Sequence, residues 1–282
     1  MADARDTFAE ELSTLNNGLR ESSRDLYLAT LLMPEPVRAL ASVLFAYHVD
    51  LSNISRLVSE PMAGAIRLQW WADVMNGERA GEAQAHPLAR TVLALLEKHE
   101  LSSHVLAEKA QAHEFDLFAE PMENRAMLEG YFGETRSVLF QLLCTALAGQ
   151  PTNDTADAAG HAGVSTGIVA SLFDFERRRQ MRQTIVPQDM LRAAGMDDDR
   201  YFAAEPADLA LVFEAYCDLA WEHHEKAAAA IANLPKELRG IFALCALTPT
   251  YLSARQAQNG AVVDLQPLSQ LRTQWLLYRQ KL

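Results

Sequence analysis

Cysteine is scarce in this 282-residue chain. Cys144, Cys217 and Cys245 are odd in number and far apart, and no CxxC or Cys/His spacing marks a zinc site or a disulfide framework. Their apolar, helical surroundings read as small buried hydrophobes in a reducing compartment. Positive charge is also short: 25 Lys and Arg against 37 Asp and Glu leave a net charge of −12. Such a chain has no global attraction to nucleic acid or anionic lipid, so any anion site must be a local arginine cluster. No apolar run approaches the roughly 20 residues that span a bilayer. The longest, IFALCALTPTYL at 241–252, is interrupted by Pro249. The opening MADARDTFAEELSTL is acidic, unlike a secretory or mitochondrial leader. A soluble, cytoplasmic chain with no transmembrane segment and no nucleic-acid partner is expected. Strand alternation is missing, as are a Gly-rich phosphate loop, a GxSxG elbow, an HExxH zinc motif, a low-complexity linker and a solenoid repeat.

Helical periodicity fills nearly all the rest. Phe8, Leu12, Leu15 and Leu19 form one stripe, Pro36 opens the run VRALASVLFAYHVDLSNISRLV, and Pro61 opens another through Ile66, Trp70, Trp71 and Val74, ending near Gly77. HPLARTVLALLEKHE repeats Leu and Val at helical spacing, and further helices are predicted around 101–118, 124–148, 154–180, 207–232, 235–258 and 267–280. Short loops are predicted around 119–124, 149–155 and 195–207. The fold class is all-α, with about ten helices or more in one domain over 1–282 and residues 1–20 as a peripheral helix. The helices 37–58 and 154–174 are apolar around their circumference and so central to the fold. The second is rich in small residues (Ala158, Gly160, Gly163, Gly167, Ala170), which either permit close helix approach or leave room for a ligand.

Four segments carry a resemblance: RALASVLFAYHVDLSNISRLVSEP, HEFDLFAEPMENRAMLEGYFGETRSVLFQLLCTALAG, HAGVSTGIVASLFDFERRRQMRQTIVPQDMLRAAG and LPKELRGIFALCALTPTYLSARQA. Over roughly residues 20–280 the chain resembles the squalene/phytoene synthase family. That resemblance implies an isoprenoid-synthase helical fold around a central apolar cavity. In working members two motifs, each with Asp at i and i+4, hold Mg²⁺ against prenyl diphosphates that are joined head to head. Here the first motif aligns with Ser52 and Arg56, and the second with Asp174 and Arg178. One of four carboxylates survives. Asp50 has Ile54, not an acid, four residues on, and Glu176 is two residues from Asp174 and off its helical face. Arginines at these positions repel a divalent cation at short range.

FAYHVDLSNISRLVSEP and the Arg67, Gln69, Trp70, Trp71 segment resemble a subgroup of the family without metal motifs, to which a mitochondrial respiratory complex I assembly factor belongs. The subgroup implies a non-catalytic role in assembly of a respiratory complex or in binding an isoprenoid or other lipid. The alternative is an active prenyltransferase with a rearranged metal site. On the first reading no cofactor is expected; on the second, Mg²⁺. The partners implied are respiratory-complex subunits and a prenyl diphosphate, quinone or other apolar ligand, in the cytoplasm or at the periphery of the inner membrane. The ligand-binding residues expected at the cavity mouth are Tyr47, Ser52, Arg56, Asp174, Arg177, Arg178 and Arg182, with Asp174 the remnant of the metal site.

Each of these residues also has a plain structural reading. Arg177, Arg178, Arg179 and Arg182 either complement a helix C-terminus or clamp a phosphate or carboxylate. Asp174 is expected to pair with Arg178 or Arg56, the latter across the mouth. Trp70 and Trp71 cannot share a helical face, so one is core and the other reaches a groove. His48 reads as hydrogen-bonded structure rather than a general base. His223 and His224 read as part of a solvated helix face, and Asp197–Asp199 as solvated charge in a loop.

Overall fold

A computed structural model describes residues 2–118, 120–256 and 265–279. In chain order the α-helices are α1 (Ala2–Ser22), α2 (Arg24–Leu32), α3 (Glu35–Leu57), α4 (Pro61–Met75), α5 (Ala80–Ala85), α6 (Pro87–Lys98), α7 (His104–Ala112), α8 (Arg125–Phe132), α9 (Val138–Ala148), α10 (Asn153–Ser171), α11 (Phe175–Gln180), α12 (Gln188–Ala193), α13 (Asp198–Ala203), α14 (Ala210–Asn233), α15 (Lys236–Arg239), α16 (Thr248–Gln256) and α17 (Gln270–Arg279). Short 3₁₀ turns follow α7, α13 and α15, and a π-turn, Gly133–Ser137, joins α8 to α9. No strand occurs among the described residues, as the all-α reading requires.

Local chemistry sets the ends of these helices. Proline occupies the first turn of α3, α4 and α6, where its missing N–H leaves no hydrogen bond unmade. Thr152 and Thr155 form a reciprocal capping box at the start of α10, and Asn124 accepts from the Met127 amide at the start of α8. Gly149 ends α9 at φ 83°, a conformation that costs glycine nothing. Two segments differ from the sequence reading. The run predicted at 154–180 breaks over 172–174, with Asp174 outside either helix. The segment read as a loop at 195–207 contains α13, whose first turn is capped by Asp197 accepting from the Arg200 amide. The predicted helix end at 258 lies outside the described residues.

The core forms two neighbouring clusters. One gathers α1, α3, α4, α6, α7 and α9, and the other gathers α2, α8, α10 and α14 with the C-terminal segments. Both expected central helices are central: α3 buries residues on most of its sides, and α10 lies along α14 and against the π-turn and α9. The small residues of α10 serve close approach at two points. A Cβ on Gly163 would lie 2.1 Å from Ser137 Oγ and 2.5 Å from its backbone nitrogen, and one on Gly167 would meet the Phe132 ring.

Gly163→Ala is therefore expected to destabilise by about 3 kcal/mol, because a backbone rather than a rotamer must move. Gly160→Ala, which meets open space, should stabilise by about 0.5–1 kcal/mol through helix propensity. Urea midpoints of the two variants check the pair, and a neutral Gly163→Ala would contradict the packing account.

Candidate functional site

The cleft opens where α3, the 3₁₀ turn at His113–Asp116, the π-turn and the break after α10 converge. It encloses about 200 Å³ and is lined by His48, Ser52, Arg56, His113, Asp116, Tyr131, Arg136, Gly167, Asp174 and Arg178. The break after Ser171 turns Asp174 toward α3, where its Oδ2 lies 2.6 Å from the Arg56 guanidinium. Arg177 Nε donates to the other oxygen at 2.8 Å. The expected Arg56–Asp174 pair across the mouth is thus present. The expected Arg178–Asp174 ion pair is not: Asp174 is the N-cap of α11, with non-helical backbone angles, its carboxylate is taken by Arg56 and Arg177, and the Arg178 guanidinium reaches Asp116 at 2.9 Å.

Asp116 is the acid that sequence reasoning missed. It is buried, and it accepts from Arg178, from the Tyr131 hydroxyl at 2.9 Å and from His113 Nδ1 at 2.8 Å. Burial opposes its ionisation, but the Arg178 charge and these donors outweigh it and hold the carboxyl well below the usual range. With His113 Nδ1 donating, its Nε2 is left to accept from Lys109 Nζ at 3.3 Å. Lys109 is itself fully buried and also reaches His48 Nδ1 at 3.0 Å and the Thr135 carbonyl. The π-turn presents that carbonyl and turns Arg136 into the cleft. The signal lay in Lys109, His113 and Asp116 at spacings of four and three, the last two within the HEFD stretch, but only folding brings them to Arg178.

Other sites differ from expectation. Tyr47 does not reach the mouth: it is fully buried on another face of α3 and its hydroxyl donates to the Leu106 carbonyl at 2.8 Å. Arg182 lies outside the cleft, paired with exposed Asp199 and packed over the Phe202 ring. Arg179 turns inward to Glu176 and to the carbonyls of Phe202 and Ala204. Ser52 is at the mouth, donating to the His48 carbonyl at 2.8 Å. Trp71 is core and donates to Asp50 at 2.9 Å, while half-buried Trp70 donates to Glu82 at 2.7 Å. His223 is not on a solvated face; it is buried between His161 and Glu129.

The donor set does not fit a Mg²⁺ pair. Two carboxylates line the cleft, and both are engaged by arginine. Mg²⁺ takes oxygen ligands and is repelled by the guanidinium groups of Arg56, Arg136 and Arg178 at the same walls. Among the described residues no group of three or more His, Cys, Asp or Glu could hold a metal ion. The Arg136 guanidinium has no hydrogen-bond partner among the described residues. It lines both this cleft and an adjoining cavity of about 710 Å³, whose walls include Leu26, Val169, Phe173, Leu244, Leu247 and Leu265. The arrangement joins a cationic mouth to apolar space, suited to an anion carrying a hydrocarbon chain.

Two predictions follow from this network. Arg178→Met leaves Asp116 as an uncompensated buried charge and is expected to destabilise by about 3–5 kcal/mol, most of it recovered when Asp116→Asn is added; urea denaturation of the single and double variants checks this. Acid should also destabilise the fold. Burial, reinforced by the Lys109 charge, lowers the pKa of His113 from its usual 6.5 to about 4, so the unfolded chain takes up a proton that the native state refuses. Stability then falls as pH drops from about 6.5 to about 4, and Asp174, held at about 2 against burial by Arg177 and Arg56, adds a further loss below about 4. A urea midpoint that rose between pH 7 and pH 4 would contradict the assignment.

The sequence model of the squalene/phytoene synthase family matches residues 19–279. The mouse protein named NADH dehydrogenase (ubiquinone) complex I, assembly factor 6 is 27% identical over 183 residues, covering 65% of this chain and 55% of that protein. A Drosophila melanogaster homolog of that assembly factor is 24% identical over 254 residues, covering 83% and 72%. The chain spans about half the length of the mouse relative it matches. Among solved structures, a dehydrosqualene synthase in complex with ligand superposes with a TM-score of 0.82 at 16% identity, covering 98% of this chain and 97% of that one. YisP from Bacillus subtilis superposes with a TM-score of 0.75 at 13% identity, covering 99% of each. At such identities the likeness is one of fold. With a family match over nearly its whole length and the same helical architecture, the chain belongs to the squalene/phytoene synthase family.

Proposed function

We propose that this chain is a non-catalytic member of its family that serves the assembly of a respiratory complex, and that its cleft receives an anionic, apolar-tailed ligand without metal. The observation that carries the reading is the engagement of both cleft carboxylates by arginine, Asp174 by Arg56 and Arg177, and Asp116 by Arg178. Ionising a prenyl diphosphate needs metal charge on the leaving group. Here the positive charge is protein-borne and fixed: Arg56, Arg177 and Arg178 are taken by the cleft carboxylates, and Arg136 remains to hold an anion. The assembly role is supported by the similarity to proteins named complex I assembly factor 6 and by the subgroup features VSEP and Arg67–Trp71. Arg136 is the group left to meet an anion, and the 710 Å³ cavity beside it is the space for a hydrocarbon tail.

Calorimetric titration of farnesyl diphosphate with and without Mg²⁺ tests the ligand reading. The expected result is binding that does not require Mg²⁺ and no release of inorganic diphosphate. Loss of the charge-assisted contact in Arg136→Met should weaken that binding by about tenfold or more. Condensed product or diphosphate released only with Mg²⁺ would overturn the non-catalytic reading. Capture of the tagged full chain from its host is expected to retain respiratory-complex subunits; their absence would count against the assembly role alone.

A further inference from the structure

The C-terminal helix carries a second feature that the cleft does not use. One face of α17 packs inward: Leu277 is buried, and buried Thr273 donates to Asp25 of α2 at 3.3 Å. The opposite face presents Leu271, Trp275 and Tyr278, which are 79%, 55% and 58% exposed. Their spacing of i, i+4 and i+7 places all three on one stripe of the helix. Nothing in the described chain covers that stripe.

Charge distinguishes what could cover it. From Leu265 to the last residue the sequence carries Arg272, Arg279 and Lys281 and no acid, in a chain of net −12. Arg279 lies over the Trp275 ring, 4.7 Å from its centroid. Tryptophan and tyrosine favour the boundary between hydrocarbon and water, and arginine beside them can lie along an apolar surface while its guanidinium meets phosphate. A helix with an aromatic apolar face and basic flanks is suited to lie in the plane of a bilayer. The acidic remainder of the chain is repelled by the same surface, which restricts contact to this helix and orients the molecule.

We propose that α17 is an interfacial helix, whose Leu271, Trp275 and Tyr278 face enters the headgroup region of a membrane containing anionic lipid while Arg272 and Arg279 pair with lipid phosphates. The helix follows directly on Leu265–Pro267, which line the 710 Å³ cavity, so docking brings that cavity close to lipid. The proposal stands whether or not the cleft binds a prenyl diphosphate.

Flotation of the full chain with vesicles tests it. Vesicles of phosphatidylcholine mixed with phosphatidylglycerol are expected to carry the protein, and vesicles of phosphatidylcholine alone to carry far less. Trp275→Ser combined with Tyr278→Ser should lower partitioning about tenfold or more. Arg272→Glu with Arg279→Glu should reduce it to the level of the neutral vesicles. Because these side chains are exposed, the thermal midpoint should stay at the wild-type value. As a measurement that leaves the face apolar, brominated lipid in the anionic vesicles should quench the wild-type fluorescence, and Trp275→Phe should abolish that quenching. Failure to float, equal binding to neutral vesicles, full binding by either double variant, or quenching that survives Trp275→Phe would each overturn the assignment; the last two would turn attention to a protein groove.

Discussion

A buried guanidinium has to be matched by a carboxylate, and the pairing of Arg178 with Asp116 is the condition on which the cleft is built. Once Asp116 is committed to Arg178, its remaining acceptor capacity orients Tyr131 and His113. The orientation of His113 then decides which of its nitrogens faces Lys109, and Lys109 draws in His48 and the Thr135 carbonyl. The chain of contacts ties α3, α7, the π-turn and α11 together through polar groups.

The family fold persists here while the chemistry at its mouth has changed sign. Four acids in working relatives make a negative site that metal neutralises. This chain keeps one, and the cations come from arginine side chains instead. On the proposed reading, a fixed guanidinium, which cannot leave with a diphosphate or move with it, holds an anion where a metal enzyme would ionise one. In that reading the recognition group is Arg136, whose guanidinium has no hydrogen-bond partner among the described residues and lines both the polar cleft and the apolar cavity. The same helices that would shape a reaction chamber can therefore shape a binding site, because their close approach depends on Gly163 and Gly167 rather than on the acids.

Much of this was legible in the residues. Helical period, proline at first turns and the apolar girth of 37–58 and 154–174 determined an all-α fold with those two helices at its centre. The resemblance to the family's motifs implied that three of the four metal acids are missing and that arginines stand at two of those positions. It also identified Arg56 and Asp174 as a pair, since both fall on motif positions that face each other. The tertiary structure decided the rest. The chain breaks at 172–174 and makes Asp174 the N-cap of α11, so its carboxylate meets Arg56 and Arg177 while Arg178, four residues on, meets Asp116. Asp116 joins Arg178 from 62 residues away. Tyr47 belongs to the core, Arg182 to the outer surface and buried His223 to a pair with half-buried His161. Spacing along a helix predicts only neighbours within that helix, whereas a buried charge is satisfied by whichever partner the packing of distant helices delivers.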